Sequence, residues 1–233
     1  MPERQRAGDS QGAPLDHIVV GSPDLSSAVE CFAEATGVRP AAGGRHPGAG
    51  TANYLVGLGA GAYLEIIGPD PEQPDPDGPR PFRVDRLTSP GVVTWAVRVT
   101  DIDERVAAAR GHGYDPGPPR EMSRRTATGR LLRWRLTYRA DDAGDGLVPF
   151  LIDWGDSEHP AAAGLPSTPL LSVTASHRAP GAARRALAAL EVNLPVRLGS
   201  DVGLTVVVAG EHGPVTLAPA DTGGKPGQNR PGT

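Results

Sequence analysis

Apolar and polar positions along this chain fall into short strand-like and helix-like blocks that recur in the same order. Residues 15–21 (LDHIVVG) are an apolar run rich in β-branched side chains, which predicts a strand. Behind Pro23 and Asp24, Leu25, Val29 and Phe32 recur at helical spacing. Gly37 is a stop, because glycine tolerates the left-handed conformation that ends helices. Strand-like runs at 52–58 and 62–67 then flank a glycine-rich turn at 59–61. The same order follows downstream: a strand at 91–99, a helix at 101–110 with Ile102, Val106 and Ala109 inward, and strands at 131–139 and 147–154. Sliding Leu25 onto Ile102 places Asp24 on Asp101 and His17 on Thr94 without a gap, as a duplication would.

A weaker third copy reads as a strand at 170–176, a helix at 181–190 and short strands at 196–198, 204–208 and 215–217. The expected fold is therefore α+β, with β-α-β-β-β modules at 14–68 and 91–160 and a third, weaker unit at 168–219. The Pro- and Asp-rich composition from 69 to 80 predicts an extended linker, taken as 69–90, while the polar stretches 1–13 and 220–233 are expected to be disordered. The third unit either packs on the first two or pairs with a second chain, so a homodimer is one candidate assembly.

Alternation sorts each strand into two rows. Ile18 and Val20 would pack on the first helix, leaving His17 and Val19 opposite; Leu64 and Ile66 would do the same, leaving Tyr63, Glu65 and Ile67 opposite. His17 and Glu65 thus share the face away from the helix. In the second module, Leu132, Trp134, Leu136 and Tyr138 alternate with Arg133, Arg135, Thr137 and Arg139, so one row belongs in a core.

Composition narrows the function classes. A net charge of −4 over 233 residues argues against a phosphate-binding surface, so no nucleic acid is expected as a partner. No stretch reaches the roughly 18 apolar residues of a spanning helix, and the first residues lack the apolar region of a signal peptide. A cytoplasmic protein that takes a small molecule, without a membrane partner, is the expectation. Cys31 is the only cysteine, which excludes an internal disulfide, and its spacing with Ala28 and Ala35 predicts a buried, inert thiol.

Several stretches resemble the glyoxalase-like, or vicinal oxygen chelate, superfamily. They are Leu15-Asp16-His17-Ile18-Val19-Val20, the helix after Asp24-Leu25, and the closing Tyr63-Leu64-Glu65-Ile66-Ile67. Gly44-Arg45-His46-Pro47-Gly48 and Gly50-Thr51-Ala52-Asn53-Tyr54-Leu55, with Leu132-Arg133-Trp134 and Pro149-Phe150-Leu151-Ile152-Asp153-Trp154-Gly155, are similar to a branch of mostly uncharacterised bacterial members. The resemblance implies paired modules forming a cup-shaped mixed sheet. It also implies one divalent metal (Zn, Mn, Fe or Ni) held by His or Glu from the first and last strands of each module. His17 and Glu65 match that pattern. The second module departs from it: Thr94 stands at one position and, with Phe150-Leu151 laid on Tyr63-Leu64, Ile152 at the other, Asp153 being one residue out of register.

Further candidates surround that pair. An imidazole and a carboxylate suit a divalent ion, and His46, Asp153 or His159 are candidates for a third ligand. Glu65 or His46 is a candidate acid or base. His46 and Arg45 fall in what reads as a Gly- and Pro-rich loop, where Arg45 would clamp a carboxylate, with Asn53 as a further substrate contact. Arg124 and Arg125 read as a basic hairpin loop, and Arg125 is a candidate for an anionic substrate. Trp95, Trp134 and Trp154 are expected in the core rather than as a pocket wall. Three function classes remain open: a metal-dependent lyase, isomerase or dioxygenase acting on a small oxygenated molecule, a non-catalytic protein that sequesters one, or a structural module whose third unit mediates association.

Overall fold

A computed structural model describes residues 13–126, 129–137, 139 and 146–221. The expected disorder of 1–13 and 220–233 therefore falls almost wholly outside the described residues, as does Tyr138 of the alternating row.

The two modules close into one barrel. The first runs β1 (Leu15–Gly21), α1 (Leu25–Thr36), β2 (Ala41–His46), β3 (Thr51–Gly59) and β4 (Ala62–Pro69). The second runs β5 (Gly91–Arg98), α2 (Ile102–Gly111), β6 (Pro119–Arg125), β7 (Leu131–Thr137) and β8 (Phe150–Asp153). Around the barrel the order is β1-β4-β3-β2-β6-β7-β8-β5. In each module the first strand pairs in parallel with the last, β1 with β4 and β5 with β8. The helix-capping signal repeats too: Asp24 accepts from the Ser27 N–H at 3.0 Å and Asp101 from the Glu104 N–H at 3.0 Å.

The duplication is visible in the register. Where β1 meets β5, His17 stands opposite Ala96 and Val19 opposite Thr94, and sliding one module onto the other turns the first pair into the second. The parallel pairs correct one alignment made from sequence. Val19 lies beside Glu65, and its equivalent Ala96 lies beside Phe150. Phe150, not Ile152, is therefore the counterpart of Glu65; Ile152 matches Ile67 two residues on, so both still face the cup.

Two strands were not legible. β2 and β6 read as loops because AAGGRH and PREMSRR lack apolar alternation. They meet at the seam of the barrel, joined by one backbone pair, Arg45 opposite Arg125. Within the barrel, Leu55, Tyr63, Ala96, Leu132, Trp134, Ile152 and Trp154 form a buried cluster. Trp95 is buried on the helix side, its indole N–H donating to the Leu147 carbonyl at 2.9 Å. Cys31 is exposed, against expectation, because it lies off the edge of the stripe that α1 buries through Ala28, Val29, Phe32 and Thr36.

The third unit has the expected element order, β9 (Leu170–His177), α3 (Gly181–Ala189), β10 (Val196–Leu198), β11 (Gly203–Gly210) and β12 (Gly213–Leu217). Its winding differs. The sheet order is β10-β9-β11-β12, so the first strand pairs with the strand after the helix and not with the last. It packs on the outside of the barrel, where Leu187, Leu204, Val206 and Val208 share one core with Ile18, Val20, Val29, Ile102 and Val106. The segment after β4 is more than a spacer. Arg80 donates to the Gly50 carbonyl and pairs with Asp75 and Asp85, and a 3-10 turn at Pro81–Arg86 buries Val84 against Val19 and Ile67.

Candidate functional site

The inward row of the first module carries a buried polar array. Strict alternation would send Asp16 to the helix side. Asp16 is instead the extra residue of a β-bulge between Leu15 and His17, and a bulge re-aims a side chain. Its carboxylate is wholly buried and accepts from three groups: His17 Nδ1 at 2.7 Å, His159 Nε2 at 2.9 Å and Trp154 Nε1 at 3.1 Å. Burial alone would push this carboxyl up, but the hydrogen bonds and charge of His159 and His17 outweigh it and hold Asp16 well below the usual carboxylate range.

An ionised Asp16 accepts only, so the Nδ1 of His17 must carry a proton. That orientation turns Nε2 of His17 toward Glu65 Oε2, 3.7 Å away. His17 is further clamped by stacking on Tyr63 at 4.7 Å between centroids and by the edge of Phe150 at 5.4 Å. The other oxygen of Glu65 faces His46, whose Nε2 is 3.9 Å away and whose Nδ1 lies 3.0 Å from Thr51 Oγ1. Burial, aided by the Arg124 charge and opposed by that of Glu65, lowers the His46 pKa, which favours the neutral ring. Burial, together with the charges of Asp16 and Glu65, raises that of Tyr63 well above its ordinary value, so it stays a phenol. Asn53 donates its amide N–H to Glu65 Oε1, while its Oδ1 is buried without a hydrogen-bond partner.

The sequence candidates therefore divide. His17, Glu65, His46 and Asn53 come together. His46 is not in a loop: it ends β2, turned inward, and its neighbour Arg45 is turned outward. Arg45 is half exposed and pairs with Asp70 at 3.3 Å and with Glu72, away from the cup. Asp153 also lies on the outer side, its carboxylate accepting from the Gly155 N–H, as its place three residues beyond Phe150, the counterpart of Glu65, requires. His159 stands beside the array, bound to Asp16 rather than aimed at Glu65. Of the two basic neighbours on β6, Arg125 is exposed and donates to the Gly129 carbonyl at 3.4 Å, whereas Arg124 is buried. Pairing explains the exchange: Arg124 lies opposite the inward Leu132 and Arg125 opposite the partly exposed Leu131. Sequence reasoning passed over Asp16 and Thr51; the adjacent Asp-His pair was the signal for the first.

Among the described residues no three His, Cys, Asp or Glu side chains converge as a metal-holding group. The donor chemistry nevertheless suits a divalent ion. Two imidazole Nε2 atoms flank one carboxylate, and the other nitrogen of each ring is held by an oxygen, the arrangement that orients metal-binding histidines. His17, Glu65 and His46 are the donors that this array sets nearest one another. In the second module Thr94 and Phe150 occupy the positions equivalent to His17 and Glu65.

No curated protein matches the chain. Among solved structures it is similar to a hypothetical protein from Staphylococcus aureus, with a TM-score of 0.57 and 14% identity over 88% of this chain and 85% of that one. It is also similar to methylmalonyl-CoA epimerase from Mycobacterium tuberculosis, with a TM-score of 0.43 and 21% identity over 69% of this chain and 99% of that one. A family model described as a glyoxalase-like domain matches residues 15–191, through both barrel modules and into the third unit, and the chain belongs to that glyoxalase-like family.

Proposed function

We propose that this protein is an enzyme that moves a proton at a carbon next to an oxygen in a small oxygenated substrate, with Glu65 as the proton-transferring group. The observation that carries this reading is the buried line Asp16–His17–Glu65–His46, in which one carboxylate has an imidazole nitrogen facing each oxygen. Asp16 orients His17 and fixes its tautomer, as a buried carboxylate does for a catalytic histidine. Asn53 holds Glu65 in place, and the apolar wall of Leu55, Tyr63, Trp134 and Ile152 keeps water from competing for the proton. His17 and Glu65, joined by His46, would hold a divalent ion, which would polarise a substrate oxygen and acidify the neighbouring position.

Buried charge supports the same reading: a bound cation would offset the negative charge of the buried Asp16 carboxylate in this array.

The test is metal analysis of the full chain after dialysis against Zn, Mn, Fe(II) or Ni. About one equivalent per chain is expected, and it should be lost in His17→Ala and Glu65→Gln. Retention in both variants would overturn the assignment of ligands. The absence of a second ligand pair at Thr94 and Phe150 favours one other reading, a metal-free protein that sequesters its ligand; small-molecule affinity undiminished in metal-free wild type and in Glu65→Gln would establish it.

A further inference from the structure

Arg124 is a guanidinium 4% exposed, inside the barrel wall, on the residue next to the seam pair. Its Nη1 donates to the Gly43 carbonyl across the seam. Among the described residues no carboxylate oxygen lies within ion-pairing distance of it, although nine arginine–carboxylate pairs, exposed ones included, form within that limit. A buried cation without a paired anion is costly, and proteins ordinarily avoid it. Its surroundings are the groups of the candidate site: Glu65, Tyr63 and His46 all interact with its charge.

We infer that Arg124 binds the carboxylate of the substrate, so that the substrate class is a small acid bearing an oxygen on the carbon next to its carboxylate. This rests on the proton-transfer reading of the same array and names the molecule it acts on. A guanidinium has five N–H donors in a planar fork, and the Gly43 carbonyl takes one side of it. A carboxylate on the remaining donors would present its adjacent carbon and oxygen to Glu65, His17 and His46. The neighbouring seam is the most sparsely paired junction of the barrel, because β2 and β6 share one backbone pair, Arg45 opposite Arg125. Arg124 would then serve as latch and anchor at that junction.

A purely structural Arg124, bound to Gly43 to close the seam, makes a different prediction. The probes are lactate and pyruvate against their neutral amides, titrated calorimetrically into the full-length protein. Wild type is expected to bind at least one acid tenfold or more tightly than its amide. Arg124→Gln should weaken the acid by about 10- to 100-fold, the loss of a charge-assisted pair, and leave the amide unchanged. Equal affinity for acid and amide, no binding of either acid, or a preference that survives in Arg124→Gln would each overturn the inference. Should Arg124→Gln fail to fold, Arg124→Lys keeps the charge without the planar fork and should still weaken the acid by about tenfold. Metal content of the same preparations separates the two readings. A metal-free protein that prefers the acid keeps the Arg124 assignment and loses the metal; a metal-bound one without preference does the reverse.

Discussion

Asp16→Asn is the most informative single change, because the surrounding donors dictate how the new amide must sit. One carboxylate oxygen accepts from His159 and Trp154, and the other from His17. The indole of Trp154 can only donate, and His159 is pinned as a donor because its Nδ1 already accepts the Ala161 N–H at 3.2 Å. In the variant the amide oxygen must therefore face Trp154 and His159, and the amide NH2 must face His17 Nδ1. That forces His17 into the other tautomer, with its proton on Nε2, turned at Glu65. The nitrogen needed as a ligand or a proton acceptor is then blocked. Three hydrogen bonds to a charge become neutral ones, each weaker by roughly 1 kcal/mol, so a loss of about 2–4 kcal/mol is expected. In a domain of this size that lowers Tm by about 4–16 °C. The contribution has a pH signature: a carboxyl held low in the folded state stabilises above its unfolded pKa, near 4, and loses that stabilisation as pH falls toward its folded value. The gap between wild type and Asp16→Asn should thus narrow below about pH 4. Thermal denaturation at pH 7 and pH 3, with 15N shifts of the histidine rings, reads both effects. An unchanged Tm at pH 7, or His17 still protonated on Nδ1 in the variant, would refute the reasoning.

Other consequences are quicker to check. In Gly43→Ala the new methyl carbon would collide with Asn53 Oδ1 and stand 2.9 Å from Leu55 Cγ; overpacking of about 1–3 kcal/mol and a displaced Asn53 are expected, by denaturant titration and crystallography. Truncation after Pro166 removes Leu187, Leu204, Val206 and Val208 from the core they share with the barrel. At about 1.5–3 kcal/mol per side chain the loss rivals the whole stability of a domain, so this fragment should be insoluble, and a soluble, folded one would contradict the shared core. Trp154→Phe removes one donor to Asp16 and should cost about 1–3 kcal/mol in thermal unfolding. Cys31, exposed on α1, should react stoichiometrically with a thiol reagent in the native protein without unfolding.

What local pattern encodes, the sequence determined by itself. Alternation put His17 and Glu65 on one face, and the gapless match of Asp24 to Asp101 announced two equivalent helix caps and hence the duplication. These features depend on a residue and its near neighbours, so they need no knowledge of distant partners. Tertiary structure decided everything that depends on which strand lies alongside. β2 and β6 carry no periodic signal because they are largely glycine, alanine and polar residues, and only the register of the β6–β7 hairpin turns Arg124 inward and Arg125 out. The bulge that swings Asp16 to His17 is a mismatch between β1 and β5, invisible in either strand alone. The equivalence of Glu65 with Phe150 follows from parallel register, and the altered winding of the third unit from the order in which its strands pair. Side-chain parity is written locally, but register is a choice among partners far apart in the chain, and there the buried array acquired its remaining members.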